Sequence, residues 1–228
     1  ALSSQGFEKV FTPTCMIRLA SRVRDLSSSA TLEMTARARQ LAAQGKSVVN
    51  FAAGELDFDT PDFIKKAAIA ALDQGFTKYT PAAGTAELRE AISEKFRKEN
   101  GLNYAPGQIV VSCGAKHSLF NLIQVLCDAG DEVLFPSPYW VSYPEMVRLA
   151  QAIPVPIETS SQVQYKITAD QLSRKITPRA RLLLLNSPSN PTGTVYSKEE
   201  LQAIARVIVE KDLFCVSDEI YERILYEG

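Results

Sequence analysis

Histidine is nearly absent from this sequence, and so are the patterns that most often mark a metal or nucleotide site. The 228 residues contain one histidine, His117, and the four cysteines do not show the paired spacing of a zinc site. Neither the glycine-rich dinucleotide fingerprint nor the P-loop lysine pattern occurs. We therefore expect no metal site and no nucleotide site of these kinds.

An excess of one charge and long apolar runs are also missing. The formal net charge is −1, so nothing points to nucleic acid or to an anionic membrane as a partner. No apolar run approaches the roughly 18 residues that a membrane span needs. The four cysteines are typical of small buried residues in a reducing compartment, which predicts a cytoplasmic location.

The most informative stretch that is present runs from Arg181 to Gly193. Four consecutive leucines followed by a polar, proline-rich run predict a strand buried on both faces and a stiff loop past its carboxyl end. A second strand, predicted at 213–217, leads into Asp218 and Tyr221. Because ligands bind at the carboxyl ends of strands in open α/β sheets, Asn190, Asp218 and Tyr221 are candidate binding residues. An Asn-Pro pair alone is more typical of an ordinary strand-to-helix connection.

Short apolar runs alternate with amphipathic stretches along the rest of the chain. Further strands are predicted at residues 47–53, 108–113 and 131–135, and a proline-containing edge strand at 153–157. Helices are predicted at 31–44, from Thr60 as N-cap to Gly75, after Gly84, after Lys116, and from a capping box at Ser197–Glu200. The alternation predicts an α/β fold with a mostly parallel sheet covered by helices on both faces.

Further candidate binding residues lie in the turns and loops. Gly114–Lys116 lead from predicted strand 108–113 into a helix, where backbone N–H groups and the helix dipole favour an anion. Trp140 could stack on a flat ligand or belong to a core. Gly54 could admit a ligand close to the backbone or simply form a turn, and Tyr79 could bind phosphate or pack. Together these groups suit a flat, phosphorylated, heteroaromatic cofactor.

Five motifs in this order resemble those of the class I aminotransferases, especially the bacterial-type aspartate aminotransferases, some of which also use prephenate. The motifs are Gly54-Glu-Leu-Asp-Phe-Asp-Thr-Pro, Lys78-Tyr-Thr-Pro, Ser137-Pro-Tyr-Trp-Val-Ser-Tyr-Pro-Glu-Met146, Asn186-Ser-Pro-Ser-Asn-Pro-Thr-Gly and Ser217-Asp-Glu-Ile-Tyr. The resemblance extends from about Met16 to Gly228. It implies the fold type I architecture of pyridoxal-phosphate enzymes, with an N-terminal arm and the start of a small domain at residues 1–60. A large cofactor-binding domain, incomplete at its C-terminus, is expected at residues 61–228.

The resemblance also implies a role for each candidate residue at the strand ends. Asp218 would meet the pyridine nitrogen of pyridoxal 5'-phosphate, and Tyr221 and Asn190 would meet its 3′-oxygen. Trp140 would stack on the ring, and both Trp140 and Asn190 are expected to contact the substrate as well.

The remaining candidate residues are expected to bind phosphate or substrate carboxylate. The amides of Ala115 and Lys116, beside Gly114, would hold the phosphate, and Tyr79 would reach the phosphate of the neighbouring subunit in a homodimer with active sites at the interface. Gly54 would contact the α-carboxylate of the substrate through its backbone. Lys116 either recognises the distal carboxylate of a dicarboxylic substrate or is a solvated lysine at a helix start.

Two departures from the family pattern affect the expected activity. The family's Schiff-base lysine and its substrate-binding arginine lie in segments beyond Gly228, so no catalytic residue is assigned here, and the 228-residue chain alone is expected to be inactive. Ser27 stands where close relatives carry a lysine that reaches the neighbour's substrate. Serine at that position weakens the expectation that prephenate or dicarboxylic substrates are used.

The predicted function is therefore amino transfer between aspartate and 2-oxoglutarate, carried out by the full-length protein with pyridoxal phosphate as cofactor. The expected partners are small-molecule amino acids and 2-oxo acids, together with a second copy of the chain. Two alternatives stay open. One is a non-catalytic binding or regulatory protein built on a truncated transaminase scaffold, and the other is a different enzyme of the family, either a lyase or an aminotransferase for aromatic or neutral amino acids or for prephenate.

Overall fold

A four-stranded parallel sheet positions the residues predicted to bind ligand. The computed structural model describes residues 18–24, 26, 30–52, 54 and 56–226. The strands lie side by side in the order β2-β1-β3-β4, and every neighbouring pair is parallel. Their bounds are β1 Glu132–Ser137, β2 Ile153–Glu158, β3 Ala180–Asn186 and β4 Phe214–Asp218. The predicted α/β class, the parallel sheet and the position of β2 at an edge are confirmed.

Helices and short helical turns make up most of the remaining described structure. The α-helices are α1 Ser21–Arg24, α2 Ala30–Ala43, α3 Asp62–Asp73, α4 Ala86–Lys95, α5 Ala115–Leu126, α6 Ser142–Leu149, α7 Ala169–Lys175 and α8 Lys198–Glu210. A π-helical turn follows α4 at Phe96–Asn100, and 3-10 turns lie at Pro106–Gln108 and Ser161–Val163.

The chain divides into two compact units. The sheet unit is formed by Ala1–Ser27 and Cys127–Asp218, so it holds all four strands together with α1, α6, α7 and α8. The helical unit is formed by Ser28–Leu126 and Glu219–Gly228 and holds α2 to α5. The domain boundary expected after residue 60 stays a prediction.

Both faces of the sheet are buried, as the run of four leucines in β3 predicts. Leu182, Leu183 and Leu184 have no exposed surface. On one face, Leu183 belongs to an apolar cluster that also contains Leu172 of α7 and Ile204 of α8. On the opposite face, the ring of Phe135 lies 6.0 Å from that of Tyr143 in α6. Helices therefore cover both faces, because successive side chains of a strand point in opposite directions.

Side-chain caps fix where two helices of the sheet unit begin. Ser197 accepts a hydrogen bond from the backbone N–H of Glu200, and the Glu200 carboxylate accepts one from the N–H of Ser197. This reciprocal pair is the predicted capping box at the start of α8. Thr168 and Gln171 form the same arrangement at α7. The start predicted for α3 is wrong by one residue, because Pro61 has an extended ψ of 141° and no side chain caps the helix.

Two predicted strands are wrong. Among the described residues of 47–53 none lies in a strand, and the side chain of Asn50 instead accepts a hydrogen bond from the N–H of Ala52. Residues 108–113 also lack a strand partner in the described structure, and the N–H of Val111 donates to Ala83 in a loop. An apolar run becomes a strand only when another strand satisfies its backbone, and local turns compete with that pairing.

Candidate active site

The side chain of Asn186 links the carboxyl end of β3 to that of β4. Asn186 lies opposite Asp218 in the register of the two strands. The Nδ2 of Asn186 donates to the backbone oxygen of Asp218 at 2.8 Å, and its Oδ1 accepts from the backbone N–H of Asn190 at 2.7 Å. The backbone N–H of Ser187 also donates to the oxygen of Asp218, at 3.2 Å. The predicted residues Asn190 and Asp218 are thus held at one edge of the sheet.

Asp218 is a buried carboxylate with a tyrosine as its hydrogen-bond donor. Its residue surface is 8% exposed, although it is the last residue of an otherwise accessible strand. The hydroxyl of Tyr143 donates to Asp218 Oδ2 at 2.6 Å, the length expected of a charge-assisted O–H···O bond. A buried carboxylate needs such donors, since burial without them is costly. Asp218 is therefore a fixed negative group near the sheet edge.

Trp140 lies between β1 and α6 and contacts the same tyrosine. Its ring meets that of Tyr143 edge to face, with centroids 5.6 Å apart and an interplanar angle of 87°. The backbone N–H of Tyr143 also donates to the oxygen of Trp140 at 3.0 Å. Trp140 is half-buried, so part of its surface remains accessible. The structure thereby places Trp140, Asn190 and Asp218 within one connected set of contacts in the sheet unit.

The predicted phosphate-binding turn lies in the helical unit. Gly114 has φ of +83°, a backbone conformation that glycine adopts without strain, and α5 begins at Ala115. The imidazole Nδ1 of His117 accepts from the backbone N–H of Cys113 and thereby closes the turn before the helix. Ala115 and Lys116 occupy the first turn of α5, the end of a helix that favours anions. The turn and the helix start are as predicted, while the strand expected before them is absent.

Gly54 and Tyr79 also belong to the helical unit, and both are exposed. The Tyr79 side chain is fully accessible and lies in the loop before α4. A Cβ added at Gly54 would meet no atom of the described chain within 4 Å. Their expected roles stay predictions.

Tyr221 follows β4 in a turn that two residues of the helical unit hold in place. The carboxylate of the adjacent Glu222 forms an ion pair with Lys95, and it accepts a hydrogen bond from Asn100 at 3.1 Å. The hydrogen bonds from Lys95 and Asn100 hold the pKa of the Glu222 carboxyl below its ordinary value, and the bond from Lys95 has the larger effect. The turn that carries Tyr221 is therefore anchored by a residue that stays ionised at neutral pH.

Two residues of this site were not singled out from the sequence. Asn186 and Tyr143 belong to the family motifs, but neither was assigned a role. Their partners are remote in sequence, since Tyr143 and Asp218 are 75 residues apart and Asn186 and Asp218 are 32 apart. The position of Asn186 at the very end of a buried strand could have indicated its role from the sequence, because a polar group there needs a hydrogen-bond partner across the sheet.

Ser27 and residues 1–15, which belong to the expected N-terminal arm, lie outside the described residues. Within the described part of the chain, no group of three or more His, Cys, Asp or Glu side chains could hold a metal ion. Nor does any helix there combine the length and apolar character that a membrane crossing requires.

Comparison with known proteins identifies a single family over most of the chain. Residues 46–228 match the model of the aminotransferase class I and II family. An aspartate aminotransferase of Bacillus sp. strain YM-2 is 52% identical over 210 residues, which are 92% of this chain and 54% of that protein. The aspartate/prephenate aminotransferase of Thermus thermophilus is 53% identical over the same shares of the two chains. The chain thus spans about half the length of the curated relatives it matches.

Solved structures give the same result for the fold. The aspartate aminotransferase from Thermus thermophilus with maleate superposes with a TM-score of 0.91 at 52% identity, over 93% of this chain and 56% of the other. The alanine aminotransferase from Pyrococcus furiosus gives a TM-score of 0.87 at 30% identity, over 92% and 54%. The fold expected from the motifs is confirmed. The chain belongs to the class I and II aminotransferase family.

Proposed function

We propose that the protein containing this chain transfers an amino group between aspartate and 2-oxoglutarate. The observation that carries the proposal is Asp218, whose buried carboxylate lies at the end of β4 in a chain of this family. The backbone oxygen of Asp218 accepts a hydrogen bond from the Asn186 side chain, which in turn accepts one from the backbone N–H of Asn190. Relatives about half identical to this chain are named aspartate aminotransferases, which supports aspartate as the amino donor. This activity belongs to the full-length protein.

The residues present fit pyridoxal phosphate, the cofactor on which this family depends, and the expected cofactor is thereby confirmed. A fixed carboxylate suits a protonated ring nitrogen, an amide suits an ionised ring oxygen, and a half-buried indole suits a ring face. The first turn of α5 suits a phosphate. When bound, the cofactor supplies an electron sink for the carbon that loses its proton.

In this proposal the candidate site residues of this chain bind and orient the cofactor, and none of them transfers a proton. We assign Asp218 to holding the proton on the ring nitrogen, and Asn190 and Tyr221 to the neighbouring ring oxygen. Trp140 orients the cofactor ring and limits the access of water to one of its faces. The backbone of Gly114–Lys116 binds the phosphate, with Tyr79 completing that site from a second subunit.

The substrate is held by fewer residues of this chain. Gly54 contacts its α-carboxylate through the backbone, and Lys116 is the candidate for a distal carboxylate. Lys116 is exposed in the first turn of α5, so it adds a positive charge to the end of a helix that favours anions.

A coupled assay of the full-length protein tests this function. Aspartate and 2-oxoglutarate should yield oxaloacetate, which malate dehydrogenase reduces with consumption of NADH. Asp218→Asn should lower kcat by roughly 100-fold or more, because a preorganised charge is lost. Asp212→Asn is the matched control, since Asp212 is exposed with φ of +48°, a conformation that both aspartate and asparagine tolerate. Absence of turnover in the unsubstituted protein, or equal rates in the two variants, would contradict the proposal.

Prephenate is a second candidate amino acceptor. The relatives from Thermus thermophilus and Nitrosomonas europaea, 53% and 50% identical to this chain, are named aspartate/prephenate aminotransferases. Replacing 2-oxoglutarate by prephenate in the same assay distinguishes the two acceptors. Turnover with prephenate at a comparable kcat/KM would assign both acceptors to the protein, and turnover with 2-oxoglutarate alone would exclude prephenate.

We also propose that the protein is a homodimer whose active sites lie at the subunit interface. Large apolar side chains of α3 and of the loop before it are mostly exposed in this chain, among them Phe58, Phe63 and Leu72. Apolar surface of this kind is typical of an interaction site. Light scattering of the full-length protein should give twice the subunit mass, and Phe63→Lys should shift the distribution toward monomer. A monomeric mass at micromolar concentration would argue against the dimer.

We also propose a cytoplasmic location, on the basis of the cysteines. Cys113, Cys127 and Cys215 are free thiols in the described structure, as a reducing compartment would keep them. Cell fractionation with an antibody to the protein tests this location, and recovery in a membrane or secreted fraction would exclude it.

A further inference from the structure

Tyr143 contacts two residues that are predicted to bind the cofactor, Asp218 and Trp140. Its hydroxyl donates to Asp218 Oδ2 at 2.6 Å, and its ring packs edge to face against Trp140 at 5.6 Å. Tyr143 is 2% exposed, so it cannot itself present a large surface to a ligand. It therefore acts on whatever binds there through its neighbours.

The ring of Tyr143 is itself held in place by the sheet. Phe135 of β1 lies 6.0 Å away at an angle of 52°, on the face of the sheet that α6 covers. The backbone N–H of Tyr143 is bonded to the oxygen of Trp140. Because ring and backbone are both fixed, the hydroxyl oxygen has a fixed position, and the carboxylate that it contacts is constrained in turn.

We propose that Tyr143 is a positioning residue that aims the Asp218 carboxylate and supports the Trp140 ring. The proposal rests on the proposed function, since the carboxylate and the indole are taken to contact pyridoxal phosphate. A carboxylate side chain rotates about two bonds, and a donor fixed on one oxygen selects a single orientation. At metal sites, the loss of an outer partner that orients a binding residue typically costs 10-fold to 100-fold in affinity, and we expect an effect of similar size here.

The test removes only the hydroxyl. Tyr143→Phe keeps the ring contacts with Trp140 and Phe135 and deletes the donor to Asp218. We expect the dissociation constant for pyridoxal phosphate, measured by equilibrium dialysis of the full-length protein, to rise by roughly 10-fold. At a fixed cofactor concentration the cofactor should then raise Tm less in the variant than in the unsubstituted protein. In the loaded enzyme kcat should fall while KM for aspartate stays nearly unchanged, because Tyr143 is too buried to touch the substrate.

Tyr196→Phe is the matched control for stability. Tyr196 is also buried, and its hydroxyl accepts a hydrogen bond from the N–H of Ile167 at 2.9 Å, within the apolar cluster on the other face of the sheet. This control should lower Tm without changing the dissociation constant for pyridoxal phosphate. A tyrosine with a merely structural role would behave as Tyr196 does.

A double-mutant cycle separates action through Asp218 from any other effect. In an Asp218→Asn background, Tyr143→Phe should change cofactor affinity by less than twofold, since the positioned group is already altered. The proposal is overturned if Tyr143→Phe binds the cofactor within twofold of the unsubstituted protein, or if its effect is the same in both backgrounds. If the unsubstituted protein does not bind pyridoxal phosphate, the proposed function fails and this inference fails with it, an outcome distinct from the other two.

Discussion

Replacing Asn186 by alanine should destabilise the end of the sheet that carries the candidate site. The side chain is 7% exposed and makes two hydrogen bonds, one to the oxygen of Asp218 and one from the N–H of Asn190. A net contribution of about 1 kcal/mol for each bond gives a loss of about 2 kcal/mol in the free energy of unfolding. For a chain of this size that loss lowers Tm by about 4–8 °C.

Urea unfolding followed by far-ultraviolet circular dichroism measures this loss. Asn50→Ala is the control, because Asn50 is exposed and its side chain accepts a single local hydrogen bond, so its replacement should cost less than about 0.5 kcal/mol. Asn186→Asp retains an acceptor for Asn190 but sets a carboxylate oxygen against the Asp218 oxygen, and it should cost at least as much as alanine. If Asn186→Ala unfolds within about 0.5 kcal/mol of the unsubstituted chain, the side chain does not fasten the strand ends and the reasoning fails.

Two further predictions concern the sheet unit. Leu183→Ala should cost about 2–5 kcal/mol in a urea titration because Leu183 is fully buried, whereas Leu32→Ala, at a largely exposed position, should stay within about 0.5 kcal/mol. Glu132 accepts hydrogen bonds from Thr177 and from Arg179. These bonds, of which the one from Thr177 has the larger effect, hold the pKa of the Glu132 carboxyl below the ordinary 4.5. This group therefore stabilises the fold above pH 4.5, and its contribution is lost as the pH falls through the lowered pKa. Glu132→Gln should make unfolding less acid-dependent below pH 4.5 in urea titrations at several pH values, and an unchanged pH dependence would contradict the assignment.

How far the sequence predicts this structure depends on whether a signal is local. The leucines of β3 and the capping box at Ser197 are patterns of neighbouring residues, and both are confirmed. The strand predicted at 108–113 depends on a partner strand, which an apolar run does not specify, and it is wrong. Asn190 and Asp218 are predicted as binding residues because they follow predicted strands, and their roles stay predictions. Tyr143 was missed as a donor, since only the fold brings its hydroxyl to a carboxylate 75 residues away.

The two prolines of the edge strand β2 bear on how this sheet avoids aggregation. The N–H of Ile153 donates to the oxygen of Asp131, so alternate residues from Ile153 direct their N–H groups inward. Positions 154 and 156, whose N–H groups would point outward, are Pro154 and Pro156, which have none. An incoming strand from another molecule therefore finds acceptors but no donors along this part of the edge. The same β2 that borders the sheet thus blocks its growth into intermolecular polymers on that side.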